Sequence, residues 1–188
     1  MTELPEHLGG HSGKTHIDKG ALGWFTEMGF SSFLDVGCGP GGMVHQAEIQ
    51  GFDSFGIDGD FTLERYNPER FLIHDFTTGP VSLDRTFDVC WCVEFVEHVY
   101  AEYILNFAVA WQQCKNLAMT HATPGQGGYH HVNEQPKEYW IDVLDQYGFD
   151  YSESMTEELK LRTTMNTHKK PKKAFVRNNG LYFKNRNL

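Results

Sequence analysis

Residues 33–42 read FLDVGCGPGG, an apolar run that passes directly into a glycine-rich turn. The apolar stretch SSFLDVG (31–37) predicts a strand, and the residues from about Gly41 to Gln50 predict a helix. Glycines at such a turn let the backbone approach a ligand, while the helix N-terminus beyond offers free N–H groups and a positive dipole end. The spacing fits GxGxxG through Gly42 and GxGxG through Gly41, and the first of these alone does not establish a dinucleotide site. Asp35 narrows the choice. It stands two residues before the first glycine, where a pyrophosphate would repel a carboxylate and a ligand with a cationic end would favour one.

Working outward, strands and helices alternate. The pattern predicts a helix at 17–29 with Asp18 as its cap, and strands at 53–58, 70–75, 87–93 and 116–122. It also predicts a weak helix at 61–66, a long helix from Glu94 to Lys115, and a helix over 136–147 opened by Pro136. GFDYSESM (148–155), a polar helix, and a strand in AFVRNNGLYF (174–183) complete the chain. FDVCWCV (87–93) is apolar throughout, as in strands covered on both faces. Cys90 and Cys92 point to one face of it and read as small buried hydrophobes. This alternation implies an α/β fold, a mostly parallel sheet with helices on both faces and an antiparallel C-terminal element.

The glycine loop resembles motif I of the class I S-adenosylmethionine-dependent methyltransferases, D/E-x-G-x-G-x-G, and the resemblance runs along most of the chain. It implies a Rossmann-like fold with a seven-stranded sheet and one methyltransferase domain over 1–188, of which 1–30 form an N-terminal helical cap. It implies S-adenosylmethionine as cofactor, its methionine end held by Asp35, Gly37, Cys38, Gly39 and Gly41. Asp58, with Gly59 after it, falls where the family places a ribose-binding carboxylate. Asp75 matches the acid that receives the adenine amino group, with Phe76 beside the ring.

Glu94-Phe95-Val96-Glu97-His98 follows the fourth strand. On a helix, this spacing would set Glu94, Glu97 and His98 on one face, at the sheet end where ligands bind in open α/β folds. His130 and His131 lie on the loop after the fifth strand, in GGYHHVNEQPKEYW (127–140). ExxEH with a later histidine resembles the small-RNA 2′-O-methyltransferases and the O-methyltransferases of ubiquinone synthesis. The implied ligands of a divalent metal (Mg, Mn or Zn) are Glu94, Glu97, His98 and His131, with His130 the alternative. The implied catalytic group is Glu94, His98, His130 and His131, the histidine outside the metal set acting as general base. This chain departs from both groups in having fewer residues between ExxEH and the second histidine. Two rival readings stand beside this one: a metal-free transferase using a Glu/His base, and a non-catalytic cofactor-binding subunit. A nicotinamide enzyme reading GxGxxG is a further alternative.

Composition limits the partners. Of 188 residues, 40% are hydrophobic and the formal charge is −9, a globular balance that excludes a protein basic all over. All 25 acids precede residue 160, whereas residues 160–188 carry nine of the 16 Lys and Arg. Lys169-Lys170-Pro171-Lys172-Lys173 reads as a solvated turn, with a phosphate or RNA docking patch as the alternative. DPPY, NPPY and a Pro-Cys nucleophile are lacking, so duplex DNA is disfavoured. A small-molecule or terminal-nucleotide acceptor is expected, with RNA left open. Tyr129, Tyr139 and Trp140 are candidate stacking residues at the mouth, with core packing the commoner role of such aromatics, and His11 and His16 are lid or surface residues. GGHSGKT (9–15) resembles a phosphate loop, but Leu8 stands where glycine is required. No apolar run marks a leader or a membrane span, and cytoplasmic residence is expected.

Overall fold

The computed structural model describes residues 4–10, 13–165, 167 and 171–188. His11, Lys169 and Lys170 lie outside these. Seven strands form one sheet: β1 (Ser32–Val36), β2 (Asp53–Asp58), β3 (Phe71–Ile73), β4 (Phe87–Cys92), β5 (Cys114–Thr120), β6 (Phe149–Tyr151) and β7 (Gly180–Asn185). Their order is β3-β2-β1-β4-β5-β7-β6, parallel except for β7, which runs antiparallel to both β5 and β6. This is the Rossmann-like methyltransferase sheet expected from the sequence. The order reverses between β1 and β4, which pair in parallel, so a crevice opens beyond their carboxyl ends.

Alternation along the strands builds a core on each face. In β4, Cys90 and Cys92 join Leu34, Leu117, Phe107 and Trp111 on one side, under α3 (Ile104–Trp111) and α4 (Lys137–Gln146). Val89 and Trp91 join Phe33, Ala118 and Tyr182 on the other, under α1 (Lys19–Glu27), α2 (Gly42–Ile49), α5 (Glu153–Arg162) and α6 (Phe175–Asn179). All four cysteines are buried free thiols.

Asp18 caps α1 by accepting from the Ala21 N–H at 3.0 Å. The same buried carboxylate accepts from the Thr163 hydroxyl and, at 2.9 Å, from the Thr164 N–H. Where α1 meets the end of α5, a Cβ on Gly20 would stand 2.0 Å from the Arg162 carbonyl oxygen.

Three expectations are corrected. The segment from Glu94 is not one long helix: Glu94 is left-handed (φ 55°), Val96–His98 and Ala101–Tyr103 are short 3-10 turns, and α3 begins only at Ile104. Tertiary hydrogen bonds displace the helical ones. The Glu94 N–H donates to Thr120 Oγ1 at 2.9 Å, and the Glu97 carbonyl accepts from Val132 and Asn133 at 2.9 and 3.1 Å. Residues 61–66 form no helix, because Asp60 Oδ1 takes the Thr62 N–H and hydroxyl in an Asx turn. Phe175–Asn179 is helical rather than extended, and β7 starts at Gly180.

Candidate functional site

The glycine loop follows β1 into α2. Gly37, Gly39 and Gly41 have φ of 79°, 51° and 81°, a region that carries a penalty for other residues. A Cβ on Gly37 would lie 2.4 Å from the Phe95 ring, and one on Gly41 2.4 Å from the Phe71 ring. The Gly37 and Cys38 N–H groups both donate to the Ile57 carbonyl, at 2.9 and 3.2 Å, tying the loop to β2. Asp35 is buried at the end of β1, and burial followed by the Asp58 charge pushes its carboxyl well above the usual range. Burial also raises the Cys38 thiol, so Cys38 supplies a neutral wall rather than a nucleophile.

Asp58 is engaged on both oxygens. Oδ2 accepts from the Gly39 N–H at 2.8 Å, and Oδ1 from the Asp60 N–H at 2.9 Å and from Arg65 Nη2 at 3.2 Å. Arg65, which sequence reading passed over, is the hub. Its side chain is 3% exposed, and it also donates from Nε to the Gly39 carbonyl at 3.0 Å and from Nη1 to the Asp60 carbonyl at 3.1 Å. Asp75 accepts from the Thr77 N–H at 2.9 Å and faces His7 Nε2 at the same distance. Burial would raise its pKa, but these two partners hold it below the ordinary value. Leu8 sits over Gly59, whose Cβ would lie 2.4 Å from Leu8 Cδ2. The segment around residues 6–10 thus crosses the crevice.

Two cavities open there. The smaller, about 310 Å³, is lined by Asp58, Gly59, Asp75 and Phe76 together with His7 and His130. The larger, about 750 Å³, is lined by Asp35, Gly37, Cys38 and Gly39 on one side and by Tyr129 and His131 on another. Gly10, Gly37, Glu94 and His98 line both, so the two are halves of one cleft with Glu94 in the dividing wall.

The ExxEH residues converge without a helix. One ligand atom each from Glu97, His98 and His131 lies within 4.8 Å of the others. The His98 and His131 rings stand edge to face at 5.0 Å. Both Glu97 oxygens and His98 Nδ1 are buried with no hydrogen-bond partner, a costly state for polar groups unless something fills the gap. Burial, then the nearby Glu94, pushes the Glu97 carboxyl well above its usual range. Burial drives Glu94 up to about 7 and His98 down to about 4, His131 adding to the latter. Glu94 stands outside the triad, its Oε1 accepting from the Thr120 hydroxyl at 3.3 Å.

On the histidine loop the two neighbours face different cavities, His130 the smaller and His131 the larger. His131 joins the triad and is held by Glu134, whose Oε1 lies 3.0 Å from His131 Nδ1. Glu134 also accepts from the Gly125 and Gly127 N–H groups at 2.8 and 2.6 Å, so one carboxylate orders the loop and orients the ring. His130, left-handed at φ 48°, turns instead toward Tyr100 and the smaller cavity, its Nε2 buried without a partner. Trp140 is 0% exposed in the core, which removes it from the mouth, and Tyr139 packs against the same core. Tyr129 is exposed on the larger cavity. His16 lines that cavity with its ring 5.0 Å from Phe175.

Arg65 and Glu134 are the side chains bonded to the candidate site that sequence reading missed. Glu134 carries a local signal, three residues after a histidine on a glycine-rich loop. Arg65 carries none.

Residues 34–118 match the protein family described as "Methyltransferase domain". Among solved structures, a TehB-like SAM-dependent methyltransferase from Corynebacterium glutamicum is 18% identical, over 71% of this chain and 74% of that one, with a TM-score of 0.55. Magnesium protoporphyrin IX methyltransferase from Synechocystis PCC 6803 with bound SAM is 17% identical at TM-score 0.52, over 70% of this chain and 66% of that chain. The present chain therefore spans just under two thirds of the Synechocystis protein. The plantazolicin methyltransferase in complex with SAH is 14% identical at TM-score 0.55, over 88% of this chain and 81% of that one. These likenesses are ones of fold. No curated protein sequence matches the chain. Among the described residues no helix is long and apolar enough to cross a membrane.

Proposed function

We propose that the protein is an S-adenosylmethionine-dependent methyltransferase that transfers a methyl group to an oxygen of a small molecule, or of a terminal sugar or nucleotide, a reading supported by the match of residues 34–118 to the methyltransferase domain family. We propose further that a divalent cation held by Glu97, His98 and His131 assists. The observation that carries the metal reading is the triad itself: three ligand atoms within 4.8 Å, both Glu97 oxygens buried and unpartnered. A carboxylate with two imidazoles is a donor set suited to Mn or Zn, and to Mg with added water.

S-adenosylmethionine supplies an electrophilic methyl group when bound, and the glycine loop with Asp35 is the wall that its cationic end would meet. Asp58, Gly59, Asp75 and Phe76 line the half of the cleft that suits its adenosine. A bound cation supplies Lewis acidity, which lowers the pKa of a chelated hydroxyl. Glu94, raised to about 7 and placed between the two halves, is suited to take the hydroxyl proton on its carboxylate. His130 Nε2 is the second candidate for that proton. The fold contributes chiefly proximity and orientation. The reading takes 1–188 as one domain with 1–30 as its cap, and four buried thiols support a cytoplasmic setting.

The raised Glu94 also favours a second reading, the same transfer with no cation and Glu94 or His130 as general base. Metal analysis of the purified protein, with an acceptor screen weighted toward catechols and vicinal diols, decides between them. Bound metal near one equivalent, lost in Glu97→Gln and His131→Ala, is expected, along with transfer abolished by chelator and restored by manganese. Full transfer in chelator would remove the cation and leave the general-base reading.

A further inference from the structure

The larger half of the cleft is electrically lopsided. Among the described residues its only acidic lining residues are Asp35 and Glu94, both in the floor near the glycine loop. Its outer rim carries Lys14 from the N-terminal segment and Lys172 and Lys173 from the 3-10 turn Pro171–Lys173. All three lysines are exposed. Among the described residues neither Lys14 nor Lys172 pairs with an acid, and the chain beyond residue 159 has no acid to offer. The two sides of the rim act on a common space. His16 lies between them, its pKa lowered by burial and then by the charges of Lys173 and Lys14. Lys172 and Lys173, the described lysines of a run expected to be a solvated turn, therefore stand at the mouth of the larger cavity.

Resting on the methyltransferase reading of this same cleft, we propose that the acceptor is a small anion. Its carboxylate or phosphate group docks against Lys14, Lys172 and Lys173, while the oxygen to be methylated faces His98 and His131. The floor and the rim then divide the work by sign: acids toward the cationic end of the cofactor, ammonium groups toward the acceptor. A cleft of about 750 Å³ suits a ligand the size of an aryl acid or a mononucleotide. Exposed ion pairs are individually weak, so two or three of them together give a preference of about tenfold, reduced by salt.

The test is calorimetry on the full chain saturated with S-adenosylhomocysteine, with and without Mn²⁺. The probes are catechol against 3,4-dihydroxybenzoate, ribose against ribose 5-phosphate, and inorganic phosphate alone. The anionic member of a pair is expected to bind about tenfold more tightly, and the pair showing the larger gap tells carboxylate from phosphate. The gap should close in Lys172→Gln/Lys173→Gln and in high salt, and persist in Lys184→Gln, an exposed lysine of β7 outside the cleft. Equal binding within both pairs overturns the inference, as does the absence of any anion binding sensitive to the double substitution. Weakened binding of S-adenosylhomocysteine itself in the double variant also overturns it, by assigning the lysines to the cofactor. Failure of S-adenosylhomocysteine to bind the unaltered chain would overturn the methyltransferase reading and the inference with it, whereas its tight binding alongside equal binding within both pairs overturns the inference alone. Acceptor affinities that are the same with and without Mn²⁺ leave the charge preference standing and remove only the metal reading.

Discussion

Replacing Arg65 with methionine removes a buried guanidinium while keeping a stem of similar length beside Phe71, over which the group lies at 5.6 Å. Three bonds are lost at once, to the Gly39 carbonyl, the Asp60 carbonyl and the Asp58 carboxylate. The Asp58 side chain is 11% exposed and keeps its bonds from the Gly39 and Asp60 N–H groups, so what it loses is the guanidinium counter-charge. Breaking a buried pair from one side costs about 3–5 kcal/mol. The cleft beside the loop lets water reach part of the vacated space, which places the expected loss near the lower figure, about 3 kcal/mol in urea unfolding. That is a large share of a total of about 5–15 kcal/mol. The Gly39 carbonyl is released with it, so S-adenosylmethionine should bind at least about tenfold more weakly, a loss of about 1.4 kcal/mol. Arg65→Lys keeps the charge but cannot reach both carbonyls as a fork does, and should lose about half as much stability. A cycle with Asp58→Asn should show a coupling of about 1–3 kcal/mol. A loss below about 1 kcal/mol for Arg65→Met, with coupling near zero and unchanged cofactor affinity, would refute the view that this side chain holds the loop.

Gly41→Ala should cost about 2–4 kcal/mol, since the left-handed backbone adds about 1–2 and displacing the Phe71 ring adds the rest. Gly29→Ala, at φ 79° with nothing within 4 Å of a Cβ, should cost only the backbone share, and equal losses in thermal unfolding would contradict the contact. Asp35→Asn should stabilise the protein at neutral pH and weaken S-adenosylmethionine binding. The folded pKa of Asp35 is raised by burial and by Asp58, so its contribution is fully present below the unfolded value of about 3.9 and is lost as pH rises through the folded value. The gap between variant and wild type should therefore widen with pH across that interval. A constant gap in pH-resolved urea titrations would show that Asp35 ionises as freely as in the unfolded chain.

The parallel sheet was legible because its strands are apolar runs covered on both faces, and the glycine loop because its φ values admit few other residues. Asp35, Asp58 and Asp75 were legible as acids at three successive strand ends. The course of the chain after β4 was not. Glu94 to Lys115 carries a helical pattern, yet Val132 and Asn133 take the Glu97 carbonyl that a helix would use, Thr120 holds the Glu94 N–H, and these partners are remote in sequence. The convergence of Glu97, His98 and His131 thus followed from a long-range pairing of loops, not from helical spacing. His130 and His131 were inseparable on paper because adjacent loop residues have no fixed periodicity. The Glu134 bond and the positive φ of His130 are what separate them. Trp140 takes the commoner of its two expected roles, core rather than mouth, a choice that aromatic content alone does not decide.

The last strand has a consequence for how the molecule is made. β7 is inserted between β5 and β6, so β6 has no strand beside it, and β5 only β4, until residues 180–185 have been made. Asp18 is in the same position, since its long-range partners Thr163 and Thr164 emerge late. Chains grow from the N-terminus, and contacts distant in sequence form slowly. The ribosome therefore releases a chain whose β1–β4 half can pair early, while both rims of the cleft, Lys14–His16 before Asp18 and Lys172–Phe175 beyond Thr164, still wait on the C-terminal segment. The glycine loop belongs to the part that is made first, and the basic rim of the larger cavity, where we propose that an acceptor docks, is completed later.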